Sequence, residues 1–169
     1  MANFDKAIAV ILANEGGYCC VPGDAGGETN FGICKRDNPD IDIKNLTRDQ
    51  ATQYYLDNWW NKYHFSQVAD DDLATYWVDH AVNCGMQPVT LAVQKTLQDA
   101  LQQAGNFAQG ITVDGLIGPA TISLANQFWN PSLMLKLQEK MWGHYLKVLD
   151  AHPEDSKFTE GWRNRCYRL

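Results

Sequence analysis

Residues 15–34 read Glu-Gly-Gly-Tyr-Cys-Cys-Val-Pro-Gly-Asp-Ala-Gly-Gly-Glu-Thr-Asn-Phe-Gly-Ile-Cys. Pro22, Gly23, Asp24, Gly26, Gly27, Asn30 and Gly32 fall here among short apolar pairs. Glycine reaches positive φ without steric penalty and proline lacks a backbone donor, so no helix continues through such a run. It predicts a small, irregular β-hairpin or meander. Helical patterns flank it on both sides. Upstream, Asn3 is placed to cap a helix that shows Phe4, Ala7, Ile8, Ile11 and Leu12 on one face, with Gly16-Gly17 as its stop.

Downstream, residues 35–46 read as loop. Thr47-x-x-Gln50 is a capping box that predicts a helix to about Tyr63. Asp70–Asp72 suit the positive end of a helix carrying Leu73, Trp77 and Ala81, which Gly85 ends. Pro88 fits a first turn, and Val89, Val93, Leu97 and Leu101 carry a stripe to Gly105. Pro119 and Pro131 open two more helices. The second carries Leu133, Leu137, Met141 and Val148 and stops before Pro153, leaving a short C-terminal turn for Phe158 and Trp162. The fold class is therefore mainly α with one small β element, and the Gly-Pro-rich stretch 105–119 is the best lobe boundary.

At 169 residues and 45% hydrophobic, the chain can bury a core without metal or disulfide support. A net charge of −6 argues against a general nucleic-acid binder. The charge is uneven: residues 1–85 hold 13 acidic and 6 basic side chains, whereas residues 136–169 hold 5 and 7. A basic end of this kind can touch an anionic polymer. No apolar run approaches the roughly 18 residues that cross a bilayer, so no membrane insertion is expected. Met1-Ala-Asn-Phe-Asp lacks the basic start of a signal peptide, which predicts cytoplasmic synthesis. The five cysteines form no Cys-x-x-Cys. They are expected to be mostly reduced and buried, with a bridge from Cys19 or Cys20 to Cys34 as the sharper alternative.

Glu15 is the leading candidate for chemistry. It ends an apolar helix just before two glycines. The negative helix end and partial burial favour a proton-holding carboxyl, which glycosidic cleavage needs to protonate its leaving oxygen. Taken alone, a glutamate at a helix end is more often structural. Asp24 would sit opposite if the hairpin folds back, as an ionised carboxylate that positions water, with Thr29 and Asn30 holding that water. Asp in a turn serves its own backbone equally often. Gly26–Gly32 is neither a phosphate loop nor a calcium loop. His80 and Cys84 lie four apart on a helix, but no third ligand is evident, and no cofactor or metal is expected. Tyr18, Phe31, Tyr54, Tyr55, Trp59, Trp60, Tyr63, Tyr76 and Trp77 read mostly as core, with some free to stack on sugar rings. Adjacent Trp59 and Trp60 cannot share one helix face.

Glu15-Gly16-Gly17-Tyr18, Pro22, Asp24, Gly26-Gly27, Thr29 and Phe31-Gly32-Ile33 together resemble the opening motif of glycoside hydrolase family 108. Asp79-x-Ala81-Val82-Asn83-x-Gly85 resembles that family's helix end. Val113-Asp114-Gly115-x-x-Gly118-Pro119-x-Thr121 is similar to a motif of peptidoglycan-binding modules. Gly161-Trp162-x-Asn164-Arg165-x-x-Arg168-Leu169 resembles the family's C-terminal ending.

The resemblance implies a lysozyme-like α+β fold with a small N-terminal hairpin and a helical C-terminal lobe. It divides the chain into a catalytic segment, 1–87, and a peptidoglycan-binding-like segment, 88–169, packed into one globule. It implies an N-acetylmuramidase of the phage endolysin or secretion-activator kind, with Glu15 as the acid and Asp24 and Thr29 as its catalytic companions. Tyr18, Asn30, Phe31, Tyr55 and Asn83 then become substrate-binding candidates. By analogy with phage-type lysozymes, Asp24 would orient an attacking water and cleavage would invert configuration. The implied partner is the peptidoglycan glycan strand, met by a monomer after passage through a holin-type pore or export machinery. A lytic transglycosylase and a non-catalytic peptidoglycan-binding or secretion-helper protein are the competing readings.

Overall fold

A computed structural model describes residues 1–20, 27–106 and 110–168, and Asp24 lies outside the described residues. Helix α1 spans Phe4–Asn14, with the Asn3 side chain accepting from the Asp5 amide at 2.8 Å. It buries Ala7, Ile8, Ile11 and Leu12. Its end differs from the expected glycine stop. Glu15 itself turns to extended backbone (φ −87°, ψ 133°) while its N–H still donates to Ile11 O. The carboxylate is thereby carried off the helical spiral.

The hairpin is real and minimal. Strands β1 (Thr29–Asn30) and β2 (Ile33–Cys34) pair antiparallel, Thr29 opposite Cys34 and Asn30 opposite Ile33. The two-residue loop has φ +50° at Phe31 and +77° at Gly32. Two positive φ values give the turn whose twist matches the strands. Cys19 pairs with Thr29 from the other side. Thr29 thus lies between Cys19 and Cys34, which puts them two strand spacings apart, about 10 Å. A disulfide needs Cα atoms within about 7 Å. All five thiols are free, so the Cys19/Cys20–Cys34 alternative fails. The expectation of buried thiols also needs correction. Cys166 is buried and Cys34 and Cys84 are intermediate, but Cys19 and Cys20 are exposed.

The capping box at Thr47 forms, with both reciprocal bonds to Gln50, and opens α2 (Arg48–Tyr55). The predicted single helix then changes winding: Leu56–Asn61 is π-helical. Tyr55 and Trp60 are both buried. Residues five apart diverge by about 140° on an α-helix, whereas i→i+5 bonding brings them towards one face. Trp59, as the adjacent-tryptophan argument requires, stays at the edge of the core and packs on Tyr63.

Helix α3 (Asp71–Cys84) is the axis of the molecule. Asp70 caps it, and Leu73 to Ala81 are buried on every side. Helix α1 packs on one side of it and α4 (Met86–Gln103) on another. Helices α5 (Pro119–Phe128) and α6 (Ser132–Ala151) pack against α4. The expected C-terminal turn is longer: a 3-10 segment, Pro153–Phe158, leads into α7 (Thr159–Cys166), which lies on α6. One core runs from Ala7 to Cys166. The Asp114-Gly115 motif is a clasp for that core. Buried Gln94 accepts from both amides, at 3.1 and 2.8 Å, and donates to Asp114 Oδ1 at 2.9 Å.

Candidate active site

Glu15, at the end of α1, is held from two sides. On one side is the hairpin tip. A Cβ built on Gly32 would lie 2.6 Å from Glu15 Oε2 and 2.8 Å from Tyr55 Oη. Only glycine allows the turn to press this closely. Tyr55 is 2% exposed and donates its hydroxyl to Phe31 O at 2.8 Å, fixing the tip over the carboxylate. On the other side is α7. Arg165 Nη2 reaches Glu15 Oε1 at 3.2 Å across 150 residues of sequence.

Arg165 joins a second carboxylate. Its Nε lies 3.8 Å from Asp79 Oδ2, and Asn14 Nδ2 donates to Asp79 Oδ1 at 2.9 Å. Arg168 in turn donates to Asn14 Oδ1. Asp79 is buried in α3. Desolvation raises its pKa above the ordinary carboxylate range, against the opposing pull of Arg165 and Asn14. Arg165 therefore spans a buried and a partly exposed carboxylate.

Behind these groups runs a column of rings. Tyr76 stacks on His80 at 4.0 Å, and Tyr145 stacks on Trp162 at 5.0 Å. Tyr145 donates to Asn83 Oδ1 at 2.7 Å. Burial lowers the His80 pKa to about 3, and its Nδ1 is bonded to Tyr76 O, so it is a neutral core histidine. Burial pushes the Cys84 thiol up to about 11. Its Sγ donates to the His80 carbonyl rather than sharing a ligand with the ring.

The other sequence candidates take different places. Thr29 is the middle residue of the Cys19–Thr29–Cys34 pairing. Asn30 is buried, and its amide nitrogen is committed to Ile43 O and Leu46 O, so it anchors the 35–46 loop to the hairpin. Phe31 forms the tip and Tyr18 is exposed. Asn83 lines a cleft beside Arg165. Arg165 and the structural use of Asp79 were missed as site residues. Asp79, set mid-helix next to the apolar positions Leu73, Trp77 and Ala81 and away from the acidic first turn, was the available signal, because a charge among such positions requires a distant partner.

Two family descriptions match the chain: Glycosyl hydrolase 108 over residues 8–85 and Predicted Peptidoglycan domain over residues 92–167. No curated protein matches. A solved structure described as Brucella abortus SagA shares 26% identity at a TM-score of 0.72, covering 98% of this chain and 90% of that one. The Glu15–Arg165 pair joins the two matched segments. The front half of the chain thus carries a glycosyl hydrolase 108 domain and the rear half a peptidoglycan domain, which makes the protein a glycoside hydrolase of lysozyme type.

Proposed function

We propose that this peptidoglycan hydrolase cuts the β-1,4 bond from N-acetylmuramic acid to N-acetylglucosamine, with Glu15 as general acid. The observation that carries the reading is the fixing of one carboxylate between a glycine turn and a guanidinium. Oε1 is engaged by Arg165, while Oε2 faces the hairpin. Glu15 gives its proton to the leaving glycosidic oxygen as the bond to the muramic C1 breaks. Water adds to C1 and its proton passes to a base, the role we assign to Asp24, with Thr29 assisting. Arg165 neutralises the carboxylate that the proton leaves behind. This chemistry inverts configuration at C1.

The front segment, 1–87, supplies the acid and the hairpin. The rear segment, 88–169, supplies Arg165 and the contacts to the wall polymer, and the enzyme acts as a bacteriolytic monomer of endolysin type. Tyr18, Phe31 and Asn83 offer stacking and polar contacts for the glycan, and Tyr55 holds the tip in place.

Mass spectrometry of muropeptides released from purified sacculi tests the bond and the reaction together. Hydrolysis leaves a reducing muramic acid that carries the added water. A reducing N-acetylglucosamine would refute the assigned bond, and a 1,6-anhydro muramic end would show a transglycosylase instead.

A further inference from the structure

The cleft behind Arg165 carries a chemistry that cleavage alone leaves unused. It has a volume of about 380 Å³, and its walls include Asn83, Lys157, Phe158, Trp162, Arg165 and Arg168. Three of these are cations, in a chain whose net charge is −6. Among its described lining residues there is no Asp or Glu.

The Arg165 side chain is 10% exposed, and its fork is only partly used. Nη2 engages Glu15 and Nε faces Asp79, while Nη1 is buried without a hydrogen-bond partner. A buried donor on a cation is costly to leave unsatisfied, and a carboxylate is the acceptor that best matches guanidinium geometry. Gly161 supplies a second, independent sign. It lies in α7, where glycine is a poorer helix former than alanine. A Cβ there would meet nothing within 4 Å, so packing does not require glycine. Its missing side chain keeps the cleft open. Trp162, stacked on Tyr145, and Phe158, with Lys157 Nζ 4.9 Å from its ring centre, give the walls apolar surface next to positive charge.

We propose that this cleft binds a free carboxylate of the peptide stem that branches from muramic acid, with the Arg165 guanidinium at its centre and Lys157 and Arg168 at the rim. The proposal rests on the peptidoglycan reading above and adds what the enzyme recognises beyond the sugar. Because the same guanidinium holds Glu15, a seated stem acts directly on the partner of the general acid. Glycan strands with acidic stems are thereby distinguished from neutral ones.

The test is binding of N-acetyl-L-Ala-γ-D-Glu-L-Lys and of its fully amidated counterpart to the whole chain, followed by the ¹⁵N-indole resonance of Trp162. The acid peptide should shift that resonance saturably, and the amide should bind at least about tenfold more weakly. Gly161→Leu fills the cleft and should abolish the shift while melting no lower than wild type. Lys157→Ala should weaken binding several-fold. Equal binding of the amide, an equal shift by acetate at the same concentration, or undiminished binding by Gly161→Leu would overturn the proposal. Wild-type protein that binds the acid peptide but leaves sacculi uncut would sink the hydrolase reading and leave the carboxylate site standing. Protein that cuts sacculi but fails the peptide test would sink the carboxylate site alone.

Discussion

Arg165 is the residue on which the site turns. It is nearly buried and sits beside a carboxylate, Asp79, that is 4% exposed. Removing one partner of such a pair leaves an uncompensated buried charge. Arg165→Met should therefore cost on the order of 3 kcal/mol at neutral pH, read by urea denaturation. The pH sign follows from Asp79, whose pKa is raised in the folded state by desolvation. The penalty of its charge is present at neutral pH and is relieved as pH falls through the raised value, because the folded protein then binds the proton more readily than the unfolded chain. The cost of Arg165→Met should shrink in acid accordingly, and adding Asp79→Asn should restore part of the loss. A cost that is flat with pH would mean that Arg165 stabilises through packing alone.

At the scale of elements, the hairpin tip is the most exacting piece. Gly32→Ala places a Cβ 2.6 Å from Glu15 Oε2 at φ +77°, so either the turn or the carboxylate must move. The backbone strain alone costs about 1–3 kcal/mol. We expect sacculus cleavage to fall by more than tenfold and the melting temperature to drop, measured on the same preparation. Unchanged activity would show that the tip does not set the position of Glu15.

The elements also show what a sequence can reveal. The Asn3 cap, the Thr47–Gln50 box, Asp70, Gly85 and Pro119 are local signals, and each marks a helix boundary that the structure contains. The π-helical turn after Tyr55 was not legible as such, because what draws Tyr55 and Trp60 to one side is the core around them. Positive φ at Phe31 was hidden for a similar reason: a Tyr55 hydroxyl from another element holds its carbonyl. Glu15 was legible from its place between an apolar helix and two glycines. Its bond to Arg165 was not, since no periodicity connects positions 150 residues apart.

The whole molecule has one core, and this limits how far its two halves can act apart. Trp77 on α3 donates to Thr90 on α4 at 3.0 Å, and both are fully buried. A fragment of residues 1–87 loses this cover together with Arg165. We expect it to lack a cooperative thermal transition. A sharp transition in that fragment would show an independently folding front half.

His80, at the centre of the core, gives the molecule an acid limit. Its folded pKa is lowered to about 3 from an ordinary 6.5. The stability it contributes is complete above the unfolded value and is lost as pH falls through 6.5 towards 3, because protonation favours the unfolded chain. Unfolding free energy should drop by about 2 kcal/mol between pH 7 and pH 5 from this group. The opposite contribution of Asp79 begins below its own raised pKa. His80→Phe, which keeps a ring against Tyr76, should flatten that slope, as denaturation at both pH values would show.

The proposed mechanism stands on Glu15 as the proton donor for glycan cleavage. The most direct measurement is the rate of new reducing ends released from purified sacculi by wild type and Glu15→Gln, with thermal melting of both. Loss of a general acid removes about 10²–10⁴-fold in rate. The prediction is a loss of at least about 100-fold in a variant that still melts cooperatively, whereas a folded Glu15→Gln that cuts sacculi at the wild-type rate would contradict it.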